Sequence, residues 1–93
     1  MSVSEIRAKA LPLLRKYGVG RAALFGSVVR GEENPDSDID FLVDMPSDAS
    51  LLDLAGLKLD LEELLKRDVD IVTYRSLHPL LRDRILAEQQ AIL

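Results

Sequence analysis

The chain of 93 residues has no cysteine, which excludes disulfides and any thiolate nucleophile or metal ligand. It has no apolar run near the roughly 18 residues that a membrane span needs. No basic-then-apolar leader opens it, so export is not signalled and a cytoplasmic protein without membrane attachment is expected. Excess positive charge is also lacking. Lysine and arginine number 12 against 16 aspartates and glutamates, for a net charge of −4. A nucleic-acid binder neutralises phosphates with a basic surface, so direct binding to nucleic acid is not expected. No internal repeat, low-complexity tract or long linker is visible. What remains is an ordinary globular balance, 47% apolar and 30% charged. The length suits one domain with one modest core, spanning 1–93. Ten of the sixteen acidic residues are aspartate, and their positions carry the functional reading.

Ser2 with Glu5 three residues later is a capping-box pattern. Ile6, Ala10, Leu13, Leu14 and Tyr17 follow on one face at helical spacing. Pro12 is expected to interrupt and kink this helix, and Gly18 to stop it. Arg21 to Phe25 reads as a short buried strand ended by Gly26-Ser27, and Ser27 to Arg30 as one helical turn. The polar stretch 31–37 reads as a loop. Asp38 to Val43 is a second strand, and Met45 to Asp48 a turn. A helix from about Ser50 to Lys66 carries an apolar stripe of Leu54, Leu57, Leu61, Leu64 and Leu65. Asp68 to Thr73 is a third strand, and Pro79 opens a last helix toward Glu88. The tail 90–93 reads as a short edge strand.

Connection lengths then constrain the topology. The second and third strands are joined through a helix, which favours a right-handed parallel crossover. The loop between the first and second is too short for a crossover, so those strands should run antiparallel. The expected fold is therefore α/β, or α+β: a small mixed sheet of three to four strands packed against helices. In that arrangement Gly26-Ser27, Asp38, Asp40, Asp68 and Asp70 converge at one end of the sheet.

Asp38 and Asp40 share a strand face, as do Asp68 and Asp70. If Asp70 lies beside Asp40, three carboxylates meet, and bare carboxylates so close repel one another. Such a cluster makes sense as a divalent cation site. Mg²⁺ takes one or two carboxylates plus phosphate and water oxygens, and two ions can clamp an in-line phosphoryl displacement. The Gly26-Ser27 turn would let backbone amides approach a phosphate, with the Ser27 hydroxyl as a further donor. Arg30 would contact phosphate or act as a structural ion-pair partner. Asp68 reads as a polar strand edge, His78 as a surface residue, and Tyr17 and Tyr74 as packing residues.

The run Gly26-Ser27-Val28-Val29-Arg30-Gly31, followed by Ser37-Asp38-Ile39-Asp40-Phe41-Leu42-Val43, closely resembles the signature of MNT-type minimal nucleotidyltransferases of the DNA polymerase beta superfamily. Asp70 in Asp68-Val69-Asp70-Ile71-Val72 stands where that family places its third carboxylate. The resemblance covers nearly the whole chain. It implies the nucleotidyltransferase core as the fold. It implies Asp38, Asp40 and Asp70 as catalytic and metal-binding residues for two Mg²⁺ ions, with Asp70 helping to deprotonate the acceptor. It implies that Gly26 and Ser27, with Arg30 and Ser37, hold ATP. Members this small resemble the antitoxin half of HEPN–MNT toxin–antitoxin pairs, in which AMP is transferred from ATP to a tyrosine of the HEPN ribonuclease. The expected partner is such a HEPN toxin, in an oligomer with this chain. A basic partner surface would meet a negative rim around Asp36, Asp44 and Asp48. Two other readings remain at this point: a subunit that modifies a small molecule such as an aminoglycoside, and an inactive antitoxin that acts by contact alone.

Overall fold

A computed structural model describes residues 1–32 and 34–93. The expected loop over 31–37 includes Glu33, which lies outside the described residues. Helix α1 spans Val3–Lys16. The Ser2 hydroxyl accepts from the Glu5 amide, and the Glu5 carboxylate accepts from the Ser2 amide, so the capping box forms as expected. Arg15 and Lys16 occupy the last turn, where positive charge complements the helix dipole. Gly18 then adopts φ +74° and ends the helix. Pro12 does not interrupt α1, contrary to expectation. Its missing N–H affects the bond toward Ala8, and both residues lie on the exposed face, while Ile6, Ala10 and Leu14 stay fully buried. Packing of that inner face holds the helix through the proline.

Strand β1 is Arg21–Phe25, the short helix α2 is Ser27–Arg30, and β2 is Ile39–Asp44. Helix α3 is Leu51–Leu65, capped by Ser50 and Asp53, and β3 is Val69–Thr73. A 3₁₀ turn at Tyr74–Ser76 leads to α4, Pro79–Glu88, and to β4, Gln90–Ala91. The sheet order is β3-β2-β1-β4. β1 pairs antiparallel with β2 and β4, and β2 pairs parallel with β3, as the connection lengths require. Asp38 and Asp68 each stand one residue before the strand they were expected to open.

Alternation along the strands builds two apolar layers. Ala22, Leu24, Ile39, Phe41 and Val43 pack with Ile6, Ala10 and Leu14 of α1 and Leu57, Leu61 and Leu65 of α3. Ala23 and Leu42 face the other way and pack with Leu77, Val72, Tyr74, Ile85 and Leu86. The α3 stripe is narrower than expected: Leu64 is 42% exposed, and Leu54 only half-buried. Leu57, Leu61 and Leu65 lie four residues apart and already fill the contact with the sheet, which leaves Leu64 at its margin.

Candidate active site

Phe25 pairs with Asp40, and Asp40 pairs with Asp70. The end of β1 and the starts of β2 and β3 therefore meet at one end of the sheet. Asp40 stands between its neighbours, with the Gly26-Ser27 turn at the end of β1 on one side and Asp70 on the other. Gly26 is buried, with φ +77° and ψ −151°. A Cβ at this position would run into Asp40 Oδ2. The position therefore calls for glycine twice, for its backbone conformation and for the approach of the Asp40 carboxylate. Val28 is buried and ties α2 to the core, while Ser27 at its start is half-buried.

Asp38 and Asp70 are exposed, and Asp40 is partly buried. Burial pushes the Asp40 carboxyl up to about 6. The charges of Asp70 and Asp38 push in the same direction, Glu88 adds to them, and Arg30 opposes. No hydrogen-bond or ion-pair partner among the described residues neutralises Asp38, Asp40 or Asp70. Nor do three acidic or imidazole side chains among the described residues close into a preformed metal cage. This narrows the expectation of three carboxylates meeting: the backbone register opposes Asp40 and Asp70, but the side chains are not drawn together. The donor set suits Mg²⁺, which needs only one or two carboxylates and completes its octahedron with phosphate and water oxygens.

The shift at Asp40 has a consequence for stability. In the unfolded chain an aspartate titrates near about 3.9, so the folded chain holds this proton more tightly. Below about pH 4 both states are protonated and Asp40 exerts no penalty. As the pH rises toward about 6 the folded state progressively loses stability, and above that the loss is complete. Asp40→Asn removes the ionisable group. In EDTA at pH 7.5 the variant is expected to melt above the wild type. Discounted for partial exposure, the gain is on the order of 1 kcal/mol, or about 4–8 °C. The gap should close near pH 4. A variant that melts below the wild type at pH 7.5 would make Asp40 a structural acceptor instead.

Arg30 ends α2, four residues after Gly26. Its Nη1 bonds both oxygens of Glu88, at 3.1 and 3.2 Å, and its Nε donates to Glu32 at 3.1 Å. The structural ion pair that the sequence allowed is thus formed. Ser37 immediately precedes Asp38. Its hydroxyl accepts from the Asn34 amide, and its carbonyl accepts from Arg67 Nη2 at 2.7 Å. The same Arg67 nitrogen bonds the Asn34 carbonyl at 2.8 Å. Arg67 therefore pins the segment that delivers Asp38. A cleft of about 550 Å³ beside this segment is lined by Asp36, Ser37, Arg67 and Asp68, among others, but not by Asp40 or Asp70.

Glu88 is the residue that sequence reasoning missed. Its Oε1 accepts the Gly26 amide at 2.8 Å, across 62 residues of sequence. The expected negative rim also changes. Asp36 stands two residues before Asp38, but Asp44 pairs with Arg21 at the far end of β2, and Asp48 follows it. Four steps along the strand separate Asp40 from Asp44, about 13 Å. Asp68 contributes through its carbonyl, which accepts from the Ile39 amide, while its side chain is exposed. His78 caps α4, with Nδ1 accepting from the Leu80 amide. Tyr17 donates to Asp60, and Tyr74 packs under the Arg21 guanidinium.

Comparison with known proteins points in one direction. The nucleotidyltransferase domain family matches residues 7–92. A Methanocaldococcus jannaschii protein, provisionally named a protein adenylyltransferase, is 52% identical over the full length of both chains. The protein adenylyltransferase MntA of Thermococcus cleftensis is 40% identical over 85 residues, covering 91% of this chain and 86% of its own. Among solved structures, a toxin–antitoxin crystal structure with AMP-PNP superposes with a TM-score of 0.82 at 27% identity. That match covers 94% of this chain and 72% of the other.

Proposed function

Since this chain belongs to the nucleotidyltransferase domain family, we propose that it transfers AMP from ATP to a tyrosine hydroxyl of a partner HEPN toxin and acts as the toxin's antitoxin. The observation that carries the reading is the placement of Asp40 directly opposite Asp70 and against the Gly26 turn. Relatives named as protein adenylyltransferases, and a toxin–antitoxin neighbour with AMP-PNP, support a nucleotide substrate and a protein acceptor.

Asp38 and Asp40 would hold two Mg²⁺ ions, with Asp70 on one of them. When bound, these ions neutralise triphosphate charge and acidify the acceptor hydroxyl. Gly26 and Ser27 hold the triphosphate through the amide and the hydroxyl, and Arg30 contributes positive charge. Ser37 acts through the segment that sets Asp38. Asp70, exposed at the start of β3, takes the proton from the acceptor oxygen. That oxygen bonds to the α-phosphorus as the bond from the α-phosphorus to the pyrophosphate oxygen breaks, and pyrophosphate leaves with the electron pair.

Mg²⁺ with ATP should raise the melting temperature more than either alone, because the cation relieves repulsion among the carboxylates and against the triphosphate, and the triphosphate supplies the cation's remaining oxygens. At about a hundred times the dissociation constant, a ligand that binds only the folded state adds about 2.7 kcal/mol, on the order of 10 °C or more for a domain of this size. Thermal melts with Mg²⁺, ATP and both together check this. Equal shifts from ATP with and without Mg²⁺ would remove the metal from the reading. The activity itself is tested by intact mass spectrometry of the HEPN partner after co-expression.

A further inference from the structure

The Gly26 amide is the donor expected to meet a phosphate oxygen, yet it donates to Glu88 Oε1 at 2.8 Å. Arg30, the nearby cation, is bound to the same carboxylate through Nη1 at 3.1 and 3.2 Å. We propose that Glu88 and the triphosphate compete for the same two donors, the Gly26 N–H and the Arg30 guanidinium, so that Glu88 sets nucleotide affinity by leaving the site when nucleotide enters. The inference rests on the reading of Gly26-Ser27 as the triphosphate-holding turn.

Three observations carry it. First, a carboxylate presents two acceptor oxygens on one negative charge, much as a phosphate presents two non-bridging oxygens, so the Arg30 Nη1 that spans both Glu88 oxygens can meet phosphate oxygens in the same way. Second, Glu88 is an ordered occupant. Its side chain is only 20% exposed, and it sits in the last turn of α4, whose Ile85 and Leu86 pack on the second apolar layer. Third, Gly26 is buried, so its N–H needs an acceptor at all times. Glu88 meets that need when no phosphate is present and keeps the turn in shape. Both anions cannot occupy it together, because the phosphate would add its charge beside Glu88 as well as beside Asp40. Exchange of one acceptor for the other satisfies the amide throughout and frees Arg30 for the phosphates.

The test is calorimetric titration of Mg·AMP-PNP into the wild type, Glu88→Ala and Glu88→Gln, combined with the amide NMR resonance of Gly26. Glu88→Ala should bind about tenfold more tightly, or about 1.4 kcal/mol, and should melt lower without nucleotide. Glu88→Gln keeps an acceptor for the amide but loses the charge, so it should fall between the two. The Gly26 resonance should differ between wild type and Glu88→Ala before nucleotide and converge after saturation. If Glu88→Ala does not fold, the tightening in Glu88→Gln decides. A wild type that binds Mg·AMP-PNP while neither variant binds more tightly overturns this inference alone. A wild type that binds no Mg·AMP-PNP overturns the reading of the turn, and this inference with it.

Discussion

Asp40→Asn and Asp38→Asn should each reduce AMP transfer by about a hundredfold or more, a loss typical of disturbing a metal site, with the fold intact. Neither carboxylate is part of either apolar layer. Asp38 is exposed ahead of β2, and Asp40 is held against Gly26 by the strand register. Asparagine keeps the shape and one oxygen but removes the charge that a hard cation requires. The two substitutions should differ in a second readout. Asp40→Asn should stabilise the metal-free chain at neutral pH, because it removes the raised carboxyl, while its activity falls. A variant that is more stable and inactive separates a metal-site residue from a structural one. Full turnover by both variants in Mg²⁺ would end the assignment of these residues.

Co-expression with the proposed HEPN partner should add one or more AMP units to that protein, and Asp40→Asn should prevent the addition. The acceptor hydroxyl must be held about 3 Å from the phosphorus, in line with the leaving group. The carboxylates stand at an open end of the sheet, with Asp38 and Asp70 exposed, so a protruding tyrosine of a second protein can reach them. Complementary charge would guide that approach. It would act on Asp36, Asp38 and Asp70 and not on Asp44 and Asp48, which lie at the far end. Substituting the modified tyrosine by phenylalanine should abolish the mass gain. An unmodified partner, together with rapid adenylylation of a small molecule by the chain alone, would favour the small-molecule reading.

Much of this architecture follows from local information in the sequence. Short apolar runs bounded by turn residues marked β1, β2 and β3, and the alternation of faces along a strand put Asp38 with Asp40. The short connection between β1 and β2 and the helical one between β2 and β3 fixed their relative directions. Those directions alone bring Gly26-Ser27, Asp38, Asp40 and Asp70 to one end of the sheet, since an antiparallel strand ends where its neighbour begins and a parallel one begins there too. The tertiary structure decided what such rules do not reach. Leu64 faces out because the contact of α3 with the sheet is already filled by Leu57, Leu61 and Leu65. Asp44 and Asp48 leave the site because β2 carries them to its other end. Pro12 stays within α1 because the buried face on the opposite side outweighs one lost bond. Above all, Glu88 reaches the Gly26 amide across 62 residues. Nothing in the spacing near either residue signals that contact. It depends on where α4 packs against the sheet, and only the assembled core determines that position.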